Sequence, residues 1–463
     1  MDALPPPART LHRTLTPLEV LFLTFSALSP SMSVFIYGDT ILHMVGTGTA
    51  AAVLIGGLIA GLMAFLYAEL GAAFPRAGGV YPSLVGVLGP FWAFPYITMM
   101  MLIAPTLTAF SILGFADYVR VLAPGLPAIP VALACLVFSA GVAMLRVRIG
   151  AIFTAVFLAI EIAALLIVSL VALLHPARSI GAVLAHPVTL DHGSLSLVTA
   201  AMLGLAVVTG VFTCGGASWA LYFGEELKDA PRRIGGVIGW AGLFAALTIA
   251  LPLVFVVLSA GDLKGMLAAE TPVASYMART GGPVLTAVVS AGVVIAVLNS
   301  IVAMILSFSR FYYSTGRDGI WPKPVNRLLS HLHPGMRSPI AATVVLCVAS
   351  VALMAIGEQR LLIFSSGQNI FEYLLMAAAV LVGRRMGTTG RNFRIPLHPA
   401  LPVLALVATA AFAAADWFDP AAGRPSLLVL AALILGSLVY YRVRGRPWAL
   451  SEGPEPEGVA AEG

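Results

Sequence analysis

Charge is scarce in this sequence. Of its 463 residues, 10% are Asp, Glu, Lys or Arg, against roughly 25% in soluble domains. That excludes an ordinary water-soluble fold. The net charge of +5 is no nucleic-acid footprint, because the basic residues lie in short loops between apolar runs. Cysteine is scarce too. Cys135, Cys214 and Cys347 are an odd number and each sits in an apolar run, which excludes a disulfide framework and leaves small core residues. Catalytic motifs are missing. There is no HExxH, no GxSxG and no Cys–His metal spacing, and of the eight histidines only His331 and His333 lie close together. Neither an enzyme nor a metal or other cofactor is expected. A channel's repeated pore loop or charged ring is also absent.

What fills the chain is apolar sequence, 59% of it. Twelve runs of about 20 residues predict an all-α membrane protein. They lie near 18–42, 50–73, 92–117, 129–145, 150–174, 196–223, 234–260, 283–310, 339–357, 361–383, 400–417 and 425–441. The amphipathic segment Gly78–Pro90 reads as a re-entrant or interfacial helix. The polar, proline-rich segment 1–17 shows no cleavable secretory pattern. The tail, 442–463, ends in the acidic, Gly/Pro-rich stretch Leu450–Gly463 and is expected to be disordered. With the N-terminus inside, twenty of the 26 Lys and Arg fall in cytoplasmic segments. That bias orients a multi-pass protein of the cell's cytoplasmic membrane with both termini cytoplasmic. Its lipid bilayer is one partner and nucleic acid is none.

Two runs are interrupted. The first contains FSALSPSMSVF, Phe25–Phe35. Pro30 has no amide hydrogen and clashes with the carbonyl four residues back. Ser29, Ser31 and Ser33 can compete for the local backbone groups. The sixth contains VFTCGGASWA, broken at Gly215 and Gly216. A proline kink would explain the first alone. Breaks at matching places five spans apart instead point to a transporter's central site. An odd number of spans per half inverts the second half, so 18–174 and 196–383 form inverted repeats and 400–441 adds two spans. Unpaired backbone at mid-membrane requires a polar cavity, and the half-helix after a break aims amides into it, which suits a carboxylate.

Four stretches carry a family resemblance: Tyr67–Pro90 (YAELGAAFPRAGGVYPSLVGVLGP), Tyr222–Ile238 (YFGEELKDAPRRIGGVI), Ser309–Leu328 (SRFYYSTGRDGIWPKPVNRL) and Phe393–Pro402 (FRIPLHPALP). The chain resembles permeases of the amino acid–polyamine–organocation superfamily over nearly its whole length. The resemblance implies two inverted five-helix repeats plus two helices, with substrate between spans one and six. The family's span-one break usually reads G-S-G-x-F. Here that register is Ser31, Met32, Ser33, Val34 and Phe35, with serine replacing both glycines. Ser29, Ser31, Met32 and Ser33 are thus substrate-binding candidates. In span six, Phe212 matches the aromatic residue that covers the substrate and serves as a gate. Thr213, Cys214, Gly215 and Gly216 match the unwound stretch, and Ser218 stands where many relatives carry an acid. The break also resembles the branch with putrescine importers, but no carboxylate adjoins it, and Asp39 lies several residues on. A zwitterionic or neutral amino acid is therefore expected, with an amine or polyamine, or a non-transporting nutrient sensor, as alternatives.

Ionisable residues inside spans are expensive and mark function by default. Glu161 lies mid-span five, where the resemblance places a lysine in many relatives. It is the candidate proton-coupling residue of a secondary active, proton-coupled or exchanging transporter, with a neutral structural acid as the alternative. Glu225, Glu226 and Arg310 are gate candidates, the two acids meeting Arg232, Arg233 or loop arginines. Glu372 is expected to pair with an arginine of the inner leaflet. Thr106 and Thr108 could touch substrate. Asn299, Ser300, Ser365, Ser366 and Asn369 could line the cavity or join helices.

Overall fold

The computed structural model describes residues 11–450 except 12, 124, 146, 337, 358–359, 362–366, 421–422, 445–447 and 449. Ser365, Ser366 and the acidic tail lie outside the described residues.

Helices dominate because a chain in lipid must satisfy its backbone internally. Among the described residues twelve spans follow one another. Span 1 is Pro17–Leu28, Pro30–Met32, a π-helical turn at Ser33–Tyr37 and Gly38–Val45. Spans 2 to 5 are Thr49–Ala73, Pro90–Leu122, Ala128–Ala143 and Val147–Leu174. Span 6 is Ala200–Cys214 and a 3-10 segment, Ala217–Phe223. Spans 7 to 12 are Ala230–Ser259, Gly282–Arg317, Ile340–Met354, Gln368–Met386, Ala400–Phe418 and Gly423–Arg444. Spans 4 and 9 are apolar but short, with 16 and 15 residues. Span 10 carries Glu372, Arg384 and Arg385.

The segment after span 2 contains a helix, Tyr81–Leu88, with Tyr81, Pro82, Ser83, Leu84 and Val87 buried. A two-stranded hairpin, β1 (Val188–Asp191) and β2 (Ser194–Leu197), precedes span 6. His192 and Gly193 both take positive φ at its turn, the backbone that matches a hairpin's twist. The sixth apolar run began at 196, and the hairpin moves the start of the helix to Ala200.

Spans 2, 6 and 7 pack as one block. Small residues allow it, as in other membrane helix contacts. A Cβ on Gly56 would lie 2.5 Å from the Gly210 backbone, so these two helices touch main chain to main chain. Spans 1, 5 and 8 form a second packed group beside them.

Candidate transport site

The break in span 1 follows from Pro30. A residue before proline is pushed out of the α region. Ser29 responds by adopting φ 45° and ψ 87°, a left-handed conformation that is uncommon outside glycine. Two bonds hold it there. Its hydroxyl donates to Glu161 Oε1 at 2.9 Å and accepts from the Met32 amide at 3.3 Å. The Ser31 amide donates to the same Oε1 at 2.7 Å. Glu161 of span 5 thus caps the helix that restarts in span 1. Its Oε2 is buried without a protein partner.

Span 6 breaks for a different reason. Its helix ends at Cys214, and Gly216 takes φ 126°, a conformation side chains rarely adopt. A Cβ there would also lie 2.9 Å from Leu28 Cδ1, the last helical residue before the other break. The two interruptions therefore meet.

They meet at a cavity of about 120 Å³ walled by spans 1, 2, 3, 6, 8 and 10. Met32, Ser33, Phe212, Gly215, Gly216 and Ser218 line it, as do Ser300 and Asn369. Ser29 and Ser31 are absent from the wall and turn to span 5 instead. Thr213 also lies off it, its hydroxyl bonded to the Thr209 carbonyl one turn back at 2.7 Å. Cys214 packs against span 2 beside Gly57. Thr106 and Thr108 bond the carbonyls of Leu102 and Ala104, which leaves their neighbours Leu107 and Ser111 to line the cavity. Both amide atoms of Asn299 are buried and make no hydrogen bond to the protein.

Tyrosines that sequence reasoning passed over also shape the wall: Tyr37, Tyr67, Tyr96, Tyr222 and Tyr373. Glu372 lies among them. It accepts from Tyr67 at 2.6 Å, and from Tyr96 and Gln368 at 3.4 Å each. The expected arginine is elsewhere. Arg384 makes a forked pair with Glu69, at 2.6 and 2.7 Å. Thr389 and the Ile395 amide complete that second cluster at 3.0 and 2.9 Å.

Aromatic contacts and ion pairs flank the cavity on two sides. On one side the Phe212 ring meets Tyr37 edge-on, with centroids 5.0 Å apart, and Tyr37 stacks on Phe110. A second cavity, about 250 Å³, lies beyond this pair. On the other side Trp219 and Tyr222 pack on Phe308, and two buried ion pairs follow. Arg310 donates to Glu226 at 2.5 and 3.1 Å and sits over the Phe223 ring. Arg317 forks onto Glu225 at 2.6 and 2.7 Å, and Tyr81 donates to the adjoining Asp318 at 2.8 Å. The acids therefore pair with span 8. Arg233 pairs with Asp229 instead, because both sit on the outer turn that starts span 7.

The profile of the amino acid permease family matches residues 15–448. The chain belongs to that family. This permease is a membrane transporter with the family's all-helical architecture. It is 28% identical to an uncharacterized transporter of Mycobacterium tuberculosis over 77% of this chain and 74% of the other. It is 24% identical to the serine/threonine exchanger SteT of Bacillus subtilis, covering 76% of this chain and 79% of that one. With the branched-chain amino acid permease BcaP of Lactococcus lactis the identity is 23%, over 81% and 84%.

Proposed function

We propose that this permease is a secondary active transporter that moves a small substrate bearing an amino group, of the amino acid class, by alternating access. It works in the cytoplasmic membrane with both termini inside. Residues 18–174 and 196–383 act as inverted repeats that rock about the breaks, and 400–441 braces them. One observation carries the reading: two broken spans converge on one small cavity that has an aromatic closure on one side and buried ion pairs on the other. A central site at the meeting of two broken spans, flanked by candidate gates on either side, fits alternating access. The names of SteT and BcaP support the amino acid class.

Glu161 is the proposed proton carrier. An ionised carboxylate accepts strongly from the Ser31 amide and the Ser29 hydroxyl. Adding a proton weakens those bonds and frees the restarted helix of span 1 from span 5. Glu225–Arg317 and Glu226–Arg310 form the cytoplasmic gate in this reading, and Phe212 is the outer one.

The test is uptake by proteoliposomes of the full chain, with an amino acid panel and an imposed pH gradient. Accumulation that follows the gradient in the wild type and is lost in Glu161→Gln supports both parts. Full gradient-dependent accumulation by Glu161→Gln removes Glu161 from coupling. Binding without any uptake overturns the transport reading itself.

A further inference from the structure

We propose that Glu372, in its cage of tyrosines, is the anchor for the substrate's ammonium group. The inference rests on the transport reading above and deepens it.

Glu372 is 5% exposed and faces the cavity. A carboxylate so deep in a membrane protein is costly unless something compensates its charge. Its partners are all neutral donors: Tyr67, Tyr96 and Gln368. Among the described residues no Lys, Arg or His lines the cavity. An ionised carboxyl offers about four acceptor positions, and these donors occupy three of them. The free position is on Oε1, where Tyr67 is the single donor. A bound ammonium would supply both the missing hydrogen and the missing charge.

The surroundings agree. Aromatic faces attract cations, and Tyr222, Tyr373 and Trp219 stand in the same wall. The helix Ala200–Cys214 of span 6 ends at this site, where Gly215 lines the cavity. A helix C-terminus favours a cation. The second cavity, beyond Phe212, repeats the bias. Asp416 and Asp419 line it, and none of its described lining residues is Lys, Arg or His. A cation crossing both cavities would meet carboxylates at each. For a carboxylate, by contrast, the amide of Ser31 at the break is already bonded to Glu161.

One ammonium can come from two sources, an amine or an amino acid. The experiment is thermal-shift titration and proteoliposome uptake with matched pairs: leucine and isoamylamine, phenylalanine and phenethylamine, ornithine and putrescine, with each amine also set beside its uncharged alcohol analogue. Glu372→Gln should weaken binding of the ammonium compounds about tenfold or more, the scale of a charge-assisted bond, and leave the alcohols unchanged. Glu372→Asp should recover part of the loss. Tyr67→Phe, which keeps the charge, should weaken binding less than Glu372→Gln. Binding of the amine members, with the amino acids equal or weaker, fits a site without a cation. Tighter amino acid binding that still falls in Glu372→Gln supports the same anchor with a zwitterion as its source. Affinity unchanged within twofold in Glu372→Gln, where that variant is monodisperse and transports, overturns the anchor and leaves the transport reading standing. Wild-type liposomes that take up nothing from the panel overturn both.

Discussion

Glu226→Gln tests how the cavity is closed. The Glu226 and Arg310 side chains are 4% and 3% exposed. In the variant the Nε and Nη2 donors of Arg310 lose a charged acceptor, while the Leu306 carbonyl at 2.7 Å and the Phe223 ring remain. Two hydrogen bonds to a charged group are worth about 3–6 kcal/mol. Stranding one partner of a buried pair costs about 3–5 kcal/mol, so the two estimates agree. Melting of the detergent-solubilised protein should fall markedly. A cysteine placed at Ser218, in a background where Cys135, Cys214 and Cys347 are alanine, should react faster with a membrane-impermeant maleimide applied from the side of the Arg310 cluster. The double variant Glu226→Met, Arg310→Met carries the decisive reasoning. Replacing both charges with apolar groups removes the stranded ion, and such exchanges are often neutral or stabilising. The double variant should melt well above Glu226→Gln. If it melts lower, by the sum of the two single losses, the pair is not a coupled unit and the argument fails.

Three further outcomes follow from the same geometry. Gly216→Ala must hold a side chain at φ 126° against Leu28, at a strain of about 1–3 kcal/mol; transport should drop sharply while the protein still elutes as a single species. Glu69→Gln should cost about 1–3 kcal/mol by weakening the contacts to the partly exposed Arg384, measured as lower melting with unchanged substrate selectivity. Phe212→Ala should join the two cavities, and the expected readout is faster efflux from preloaded proteoliposomes with weaker accumulation.

Local chemistry made the breaks legible. Pro30 and the Gly215–Gly216 pair act through their own backbone, so reading them required no knowledge of the fold. Partners set by tertiary packing were hidden. Glu225 and Glu226 find arginines 92 and 84 positions away; the chain alone offered Arg232, Arg233 or loop arginines without choosing, and the partner of Glu225, Arg317, lies in the segment expected to be the loop after span 8. Glu372 was visible as an intramembrane acid, but its tyrosine partners come from spans 2 and 3. The signal that could have found them was a tyrosine inside an apolar run, as at Tyr67 and Tyr96. Threonines misled in a regular way. Thr106, Thr108 and Thr213 satisfy their hydroxyls on the preceding turn, so polarity within a helix did not mean polarity toward the cavity. The hairpin escaped notice because each strand has four residues, too few for alternation to declare itself.

Spans 4 and 9 pack against each other, and both are short. At 1.5 Å per residue their 16 and 15 residues rise about 24 and 22 Å, below the roughly 30 Å of a bilayer's hydrocarbon layer. Where these two helices face lipid, their mismatch with the hydrocarbon layer is met by local thinning of the bilayer at a modest cost per ångström. Acyl chain length becomes a physical input to this protein: short-chain lipids relieve the flank and long-chain lipids load it.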